Sequence, residues 1–228
     1  MESALVRDVI QWDTGNWSTA LEFWERKIEW NGRKYRCLEL GSGQGGLSTW
    51  LALKGHHVIC SDLHGISERA SPLHRKYNVQ GFIDYQDIDA AHIPYENYFD
   101  IVIFKSILGG IGRNDNIHNQ KLVVNQIHKA LKSGGKLLFA ENLKGTFIHN
   151  LFRLKFVRWG TEWRYVSLRE VREFLKAFSS VEIKTTGITG TFGRTENQKI
   201  LLAKMDKAVL NRFTPEHWKY IAYGVAVK

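Results

Sequence analysis

Five short apolar segments alternate with helix-like segments between residues 34 and 142, and this alternation limits the chain to few folds. The strand-like segments are KYRCLEL, HHVICSD, GFIDYQDID, YFDIVIFKS and KLLFAEN. Helical patterns separate them, the clearest being residues 117–132, which have one apolar face and are followed by SGG. Strands that alternate with helices pair in parallel, so the sequence predicts an α/β fold with helices on both faces of the sheet.

The segments on either side of this alternation are predicted to add a helical cap and two further strands. Residues 1–33 contain an apolar set with helical spacing, namely Trp17, Leu21, Trp24 and Ile28. After residue 142, SLREVREFLKAF fits a helix with a capping box, and VEIKTT and WKYIAYGVAVK fit strands. Another helical segment, 196–213, separates these two strands. The 228 residues are therefore predicted to form one domain, with a cap at 1–33, a core at 34–142 and a substrate-side segment with closing strands at 143–228.

A glycine-rich loop, GSGQGG, follows the first predicted strand. Open parallel sheets bind ligands at the carboxyl ends of their strands, which is where this loop lies. Gly41, Gly43 and Gly45 form G-x-G-x-G, a pattern that permits a tight turn and a close approach of ligand to backbone. The run ending at Gly46 also satisfies the dinucleotide motif G-x-G-x-x-G. A nicotinamide dinucleotide is therefore the competing ligand.

Two acids near this loop favour a ligand without phosphate. Glu39 stands two residues before the first glycine, where a carboxylate would repel a pyrophosphate but attract an amino group. Asp62 ends the second predicted strand, where an acid can accept hydrogen bonds from both ribose hydroxyls. A ligand with a ribose and an amino-acid head fits both acids, and S-adenosylmethionine is such a ligand.

Together these motifs resemble those of the class I S-adenosylmethionine-dependent methyltransferases. LELGSGQG matches the family's E-x-G-x-G-x-G loop, and ICSDL matches its ribose-binding acid. DAAHIPY is similar to the adenine loop, FDIVIFKSIL to the fourth strand, and IHKALKSGGKLLFAEN to the helix, turn and fifth strand that follow. The resemblance covers roughly residues 34–142. It implies a Rossmann-like, seven-stranded and mostly parallel sheet, with an N-terminal helical cap and a helical insert before the last strand.

The resemblance also implies roles for individual residues toward the cofactor. The three glycines would wrap its methionine and ribose portions, and Glu39 would face its amino group through water. Asp62 would hold the ribose hydroxyls, and Leu63 would pack on adenine. The main chain of Phe104 or Lys105 would contact the methionine portion.

Adenine is expected at the end of the third strand. Asp89 would accept a hydrogen bond from the adenine amino group, and the Ala90 N–H would donate to the ring. Asp87 is an alternative to Asp89, because it too lies at the end of that strand. Both acids could instead be solvated groups without a ligand.

The sequence constrains the methyl acceptor much less. Methyltransferases that act on amino groups of nucleic acids commonly carry Asp, Asn or Ser, then Pro-Pro and an aromatic residue after the fourth strand, and residues 104–107 contain no proline. Three clustered acids for a divalent metal are not evident, so no metal is predicted. O-methyl transfer needs a base, and histidine has the most suitable ordinary pKa. His118 is the first candidate for this base, and His149 is the second.

Residues 144–169 interleave basic and aromatic side chains. This composition suits a membrane surface, stacking on single-stranded nucleic acid, or a basic cover over the sheet. The segment, with the tryptophan-rich start and WKYIAYGVAVK, is similar to bacterial methyltransferases associated with surface-polysaccharide assembly. That resemblance implies a glycan or a phosphorylated, lipid-linked sugar as acceptor. Arg153, Arg158 and Arg164 are predicted to recognise its anionic group.

The net charge and the cysteine content limit which partners and which cellular location are expected. The net charge of +9 favours acidic partners, so the predicted acceptor is an anionic small molecule or glycan, and nucleic acid stays an alternative. Cys37 and Cys60 lie in apolar runs and are predicted to be buried free thiols. With no signal peptide or membrane span recognisable, a cytoplasmic location is expected. A non-catalytic cofactor-binding protein is the remaining class, and the intact Glu39, glycine loop and Asp62 disfavour it.

Overall fold

The structure is a computed structural model that describes residues 3–30, 32–157 and 160–228. It contains a seven-stranded sheet with the strand order β3-β2-β1-β4-β5-β7-β6. The strands are β1 Arg36–Leu40, β2 His57–Asp62, β3 Ile83–Asp87, β4 Phe99–Lys105, β5 Leu131–Asn142, β6 Ser180–Thr186 and β7 Ile221–Val227. β7 is antiparallel to both β5 and β6, and the other pairs are parallel. The predicted Rossmann-like, mostly parallel sheet is confirmed.

Helices cover both faces of this sheet. They are α1 Ser3–Ile10, α2 Thr14–Lys27, α3 Gly46–Ala52, α4 Ile66–Lys76, α5 Leu108–Ile111, α6 Ile117–Ala130, α7 Phe147–Phe156, α8 Leu168–Phe174, α9 Glu196–Met205 and α10 Asn211–Phe213. Side chains from α1 to α4 pack on one face, and side chains from α5, α6 and α8 pack on the other. Among the described residues, no helix has the length and apolar character needed to cross a membrane.

The N-terminal cap consists of two helices, whereas the sequence pattern indicated one. Gln11 and Asp13 have φ angles of 72° and 44°, so the chain turns sharply between α1 and α2. On α2, Trp17 and Trp24 are buried, and the Trp24 indole N–H donates to the Gly224 carbonyl of β7 at 3.0 Å. The cap is thus fixed to the sheet, and its turn lies near the carboxyl ends of β4 and β5.

The insert between β6 and β7 is the predicted helical segment, with one irregularity. α9 continues into a π-helical turn, Asp206–Leu210, before α10. The buried Asp206 carboxylate accepts hydrogen bonds from the backbone N–H groups of Ile188, Thr189 and Gly190. This carboxylate therefore fixes the loop after β6, which lies against α7 through a contact between the Phe152 and Phe192 rings at 5.2 Å.

Candidate active site

The glycine-rich loop lies between β1 and α3, and hydrogen bonds hold it against β2. The Ser42 N–H and hydroxyl both donate to the Ser61 carbonyl, at 2.9 and 2.8 Å. Gly43 has a φ of 57°, and a Cβ added there would meet no heavy atom within 4 Å. The space over Gly43 is therefore open on the side where a ligand is predicted.

Glu39 binds the start of α3. Its buried carboxylate accepts hydrogen bonds from the N–H groups of Leu47 and Ser48, at 3.3 and 2.7 Å, and from the Ser48 hydroxyl at 2.5 Å. Burial raises its pKa to about 7 despite these bonds. Glu39 thus orients the helix behind the loop, and a water-mediated contact with the cofactor amino group stays a prediction.

Asp62 joins the end of β2 to the glycine loop. Its carboxylate accepts hydrogen bonds from the N–H groups of Gly43 and Leu63, at 3.0 and 2.7 Å, and lies 3.3 Å from the Arg69 guanidinium. Leu63 beside it is 53% exposed. An acceptor at the edge of the open space, next to an exposed apolar side chain, fits a ribose followed by an adenine.

The two acids after β3 differ in their surroundings. Asp87 accepts hydrogen bonds from the N–H groups of Gly65 and Ile66 at the start of α4, which lower its pKa. Asp89 is half-exposed and binds the His92 ring and the Ala91 N–H, and these bonds lower its pKa. Each acid therefore has two hydrogen-bond partners within the protein, and Asp89, with the adjacent Ala90, is kept as the expected adenine contact. That assignment stays a prediction.

The end of β4 is strained and leads into a cavity. Ser106 has a φ of 59°, and its hydroxyl accepts a hydrogen bond from the Asn142 amide at 2.6 Å. Both residues line a cavity of about 640 Å³. Six of its lining side chains are aromatic, namely Trp12, Trp17, Phe156, Trp163, Tyr165 and Tyr220. This volume suits a small molecule.

Asp13, in the turn between α1 and α2, is the acidic group in the wall of this cavity. It is 3% exposed. Its Oδ2 accepts a hydrogen bond from the Tyr220 hydroxyl, whereas its Oδ1 has no partner among the described residues. Burial raises its pKa to about 7, the range that suits a general base at neutral pH. Asp13 was not predicted as a site residue, and its position directly after Trp12 in the tryptophan-rich N-terminal segment is the one sequence feature that could have indicated it.

The two candidate histidines do not face this cavity. His118 is exposed on the first turn of α6 and is not among the described residues that line it. His149 is buried and fully used, because its Nδ1 binds Thr146 and its Nε2 binds the Ile188 carbonyl at 2.8 Å. Burial lowers its pKa. His149 is thus a structural group that fixes the start of α7.

The three arginines expected to bind an anion have separate situations. Arg164 is used within the protein, where its guanidinium donates to Asp115, Gln120 and Glu170. Arg153 is 3% exposed, and its Nη1 donates to the carbonyls of Leu143 and Lys144. Its Nη2 has no partner among the described residues. Arg158 lies outside the described residues. Arg153 thus has a donor without a partner, whereas the donors of Arg164 bind protein groups, and anion binding by these arginines stays a prediction.

Comparisons with known proteins show a methyltransferase domain and a shared fold. Residues 38–139 match the family model described as a methyltransferase domain. No curated protein sequence matches the chain. Phosphoethanolamine N-methyltransferase 2 of Haemonchus contortus, solved with S-adenosylmethionine, is 20% identical with a TM-score of 0.64, over 93% of this chain and 52% of that one. It was also solved with S-adenosylhomocysteine and phosphomonomethylethanolamine. This chain spans about half of that enzyme's length.

Two further structures share the fold. The 1,6-didemethyltoxoflavin-N1-methyltransferase of Burkholderia thailandensis is 15% identical with a TM-score of 0.58, over 92% of this chain and 76% of that one. The cyclase SpnF is 18% identical with a TM-score of 0.57, over 86% and 74%. The cyclase shows that this fold alone does not fix the reaction. The match to the methyltransferase family model covers the glycine loop, Asp62, Asp89 and the end of β4, and together with the shared fold it supports a class I S-adenosylmethionine-dependent methyltransferase.

Proposed function

We propose that the protein transfers a methyl group from S-adenosylmethionine to a hydroxyl group of a small anionic molecule or glycan bound in the aromatic cavity. The observation that carries this proposal is the buried Asp13 carboxylate in the cavity wall, with one oxygen unpartnered. Asp13 occupies a left-handed backbone conformation with a φ of 44°. Strain of this kind often persists at functional sites.

Bound S-adenosylmethionine supplies an electrophilic methyl group on a sulfonium centre. In an in-line attack by an acceptor hydroxyl on that methyl carbon, the Asp13 carboxylate would take the hydroxyl proton. The Tyr220 hydroxyl holds the other carboxylate oxygen, and the Asp13 N–H donates to Glu196 at 3.0 Å. The base is therefore held from two sides, which limits its orientations and supports catalysis by positioning.

Arg153 supports an anionic acceptor. Its guanidinium stacks on the Tyr165 ring at 3.9 Å in the cavity wall, and no carboxylate lies within 4.0 Å of it among the described residues. A buried cation with an unused donor is costly unless a ligand completes it. A carboxylate or phosphate group of the acceptor would do so. The Haemonchus contortus enzyme of the same fold was solved with phosphomonomethylethanolamine, which supports the proposal of a small phosphorylated ligand.

Residues 144–169 were also predicted to contact a membrane surface or to bind nucleic acid. α7 exposes Phe147, Ile148, Leu151 and Leu154, and a group of exposed apolar side chains on a helix is suited to a lipid surface. A lipid-linked acceptor is compatible with it. For nucleic acid, the positive charge is the supporting feature, but a cavity of about 640 Å³ with one unpaired arginine suits a small anion better.

Methyl transfer from labelled S-adenosylmethionine into fractions of a small-molecule extract tests the proposal. The extract is separated on an anion exchanger, and the wild type is compared with Arg153→Met and with Arg172→Met. Arg172 is the matched control, because it is an exposed arginine on α8 paired with Glu216 at 3.0 Å. Label should enter a retained, anionic fraction with the wild type and Arg172→Met, and at least tenfold less with Arg153→Met. Label in unretained or nucleic-acid fractions only would refute the anionic small-molecule acceptor.

A further inference from the structure

Lys105 has an unusual position for a lysine. Its Nζ is buried at the end of β4 and has no hydrogen-bond partner among the described residues. It lies 2.9 Å from the centroid of the Trp12 ring and 5.2 Å from that of Trp17. Buried ammonium groups normally have a carboxylate or several hydrogen-bond acceptors around them. The Lys105 ammonium has neither among the described residues.

The neighbouring acids do not supply that partner. Glu39, Glu141 and Asp13 are the charges that favour the ammonium form of Lys105, while burial lowers its pKa well below the ordinary value. Glu39 is bonded to the start of α3, and Glu141 accepts from the N–H groups of Leu108 and Asn142. Asp13 binds Tyr220. None of these acids forms an ion pair with Lys105 within 4.0 Å in the described structure.

Strand pairing places Lys105 beside the cofactor loop. Leu40 of β1 pairs with Phe104 of β4, so the next residues along, Gly41 and Lys105, are neighbours across the two strands. Glu39 pairs with Ile103, and side chains alternate along a strand, so Lys105 is on the same face of the sheet as Glu39. The Lys105 and Glu39 side chains are therefore on the same face of the sheet, at the strand ends that lead into the loop.

We propose that the Lys105 ammonium is the counter-ion for the carboxylate of the cofactor's methionine portion. The amino-acid head of S-adenosylmethionine carries one positive and one negative group, and this edge of the sheet offers a carboxylate and an unpaired ammonium. Trp12, which is 39% exposed and also lines the acceptor cavity, covers the lysine and would have to shift for the pair to form. This inference rests on the cofactor and is independent of the acceptor's identity.

Calorimetry with two ligands that differ by one carboxylate tests the proposal. They are S-adenosylhomocysteine and its decarboxylated form, adenosylthiopropylamine, which keeps the amino group. Lys105→Met should weaken S-adenosylhomocysteine at least tenfold and the decarboxylated ligand less than twofold. Lys132→Met is the control, because Lys132 pairs with Asp100 at the opposite end of β4 at 2.9 Å. It should change neither affinity.

Other outcomes overturn the proposal. Unchanged binding of S-adenosylhomocysteine by Lys105→Met would show that the ammonium does not reach the ligand. An equal loss for both ligands would show that the lysine acts on the shape of the site instead. If Lys105→Met does not fold, Lys105→Arg is measured in its place. This variant should keep the wild-type preference for S-adenosylhomocysteine over the decarboxylated ligand, and loss of that preference would count against an ion pair between residue 105 and the ligand carboxylate. If Lys105→Met shows the expected selective loss of S-adenosylhomocysteine affinity but the wild type transfers no methyl group, the proposed function is refuted and the role of Lys105 is not.

Discussion

Alanine at Gly43 and at Gly45 should separate cofactor binding from stability within one loop. Both glycines have a positive φ, 57° and 74°, so alanine pays a similar conformational strain of about 1 kcal/mol at either position. At Gly43 the added methyl meets no protein atom within 4 Å, so strain is the whole cost. At Gly45 the methyl would lie 2.9 Å from the Ala70 Cβ and closer still to the His74 ring. Overpacking of this kind adds about 1–3 kcal/mol.

Urea unfolding of the ligand-free protein and calorimetry with S-adenosylhomocysteine measure the two effects. Gly43→Ala should lower the free energy of unfolding by about 1 kcal/mol and weaken the ligand at least tenfold, which is about 1.4 kcal/mol, because its methyl enters the open space over the loop. Gly45→Ala should lower the free energy of unfolding by about 3 kcal/mol. Wild-type affinity in Gly43→Ala would refute the claim that the cofactor lies over this loop.

Three further predictions follow from the hydrogen bonds and pKa shifts at the site. Asp62→Ala should weaken S-adenosylhomocysteine by about 1.5–3 kcal/mol in calorimetry, whereas binding of NAD by either protein would contradict the ligand assignment. Arg164→Met should lower the free energy of unfolding by about 3 kcal/mol and change cofactor affinity less than twofold, because Arg164 is 11% exposed and paired with Glu170. The raised pKa of Glu39, about 7 against an ordinary 4.5, means that the folded state binds more protons between these values, so stability is lost as the pH rises. Glu39→Gln should therefore lose less stability than the wild type between pH 5 and pH 8, by on the order of 1–3 kcal/mol in urea unfolding, and an identical pH dependence would count against a protonated Glu39.

The fold was largely predictable because its signals are local. Each strand of the core is a short apolar run, and each is followed by a helical pattern or a turn. The same holds for the cofactor loop, since Glu39, the glycines and Asp62 are close in sequence and their spacing carries the information. The separate helix α1 was missed because Gln11 and Asp13 take left-handed conformations that nothing in their residue types requires.

The acceptor cavity was less predictable because its wall comes from segments far apart in the chain. Trp12 and Asp13 line the same cavity as Arg153 and Tyr220, although the two pairs are far apart in the sequence. Ordinary pKa values favoured histidine as the base, yet burial raises the pKa of Asp13 to about 7, a shift that composition does not reveal. Arg164 was likewise predicted to bind a ligand, because no sequence pattern indicates that it binds Asp115, Gln120 and Glu170.

Methyl transfer by Asp13→Asn tests the central claim most directly. The measurement is the rate of label transfer from S-adenosylmethionine into the extract fraction that the wild type methylates, across pH 5.5 to 9, with cofactor affinity measured in parallel. The wild-type rate should rise with pH through an apparent pKa near 7, because Asp13 must be ionised to accept the proton. Asp13→Asn should bind S-adenosylhomocysteine within twofold of the wild type and transfer about 10²–10⁴-fold more slowly, with that rise removed. Transfer by Asp13→Asn at the wild-type rate, or binding of the cofactor without transfer to any fraction by the wild type, would contradict the account.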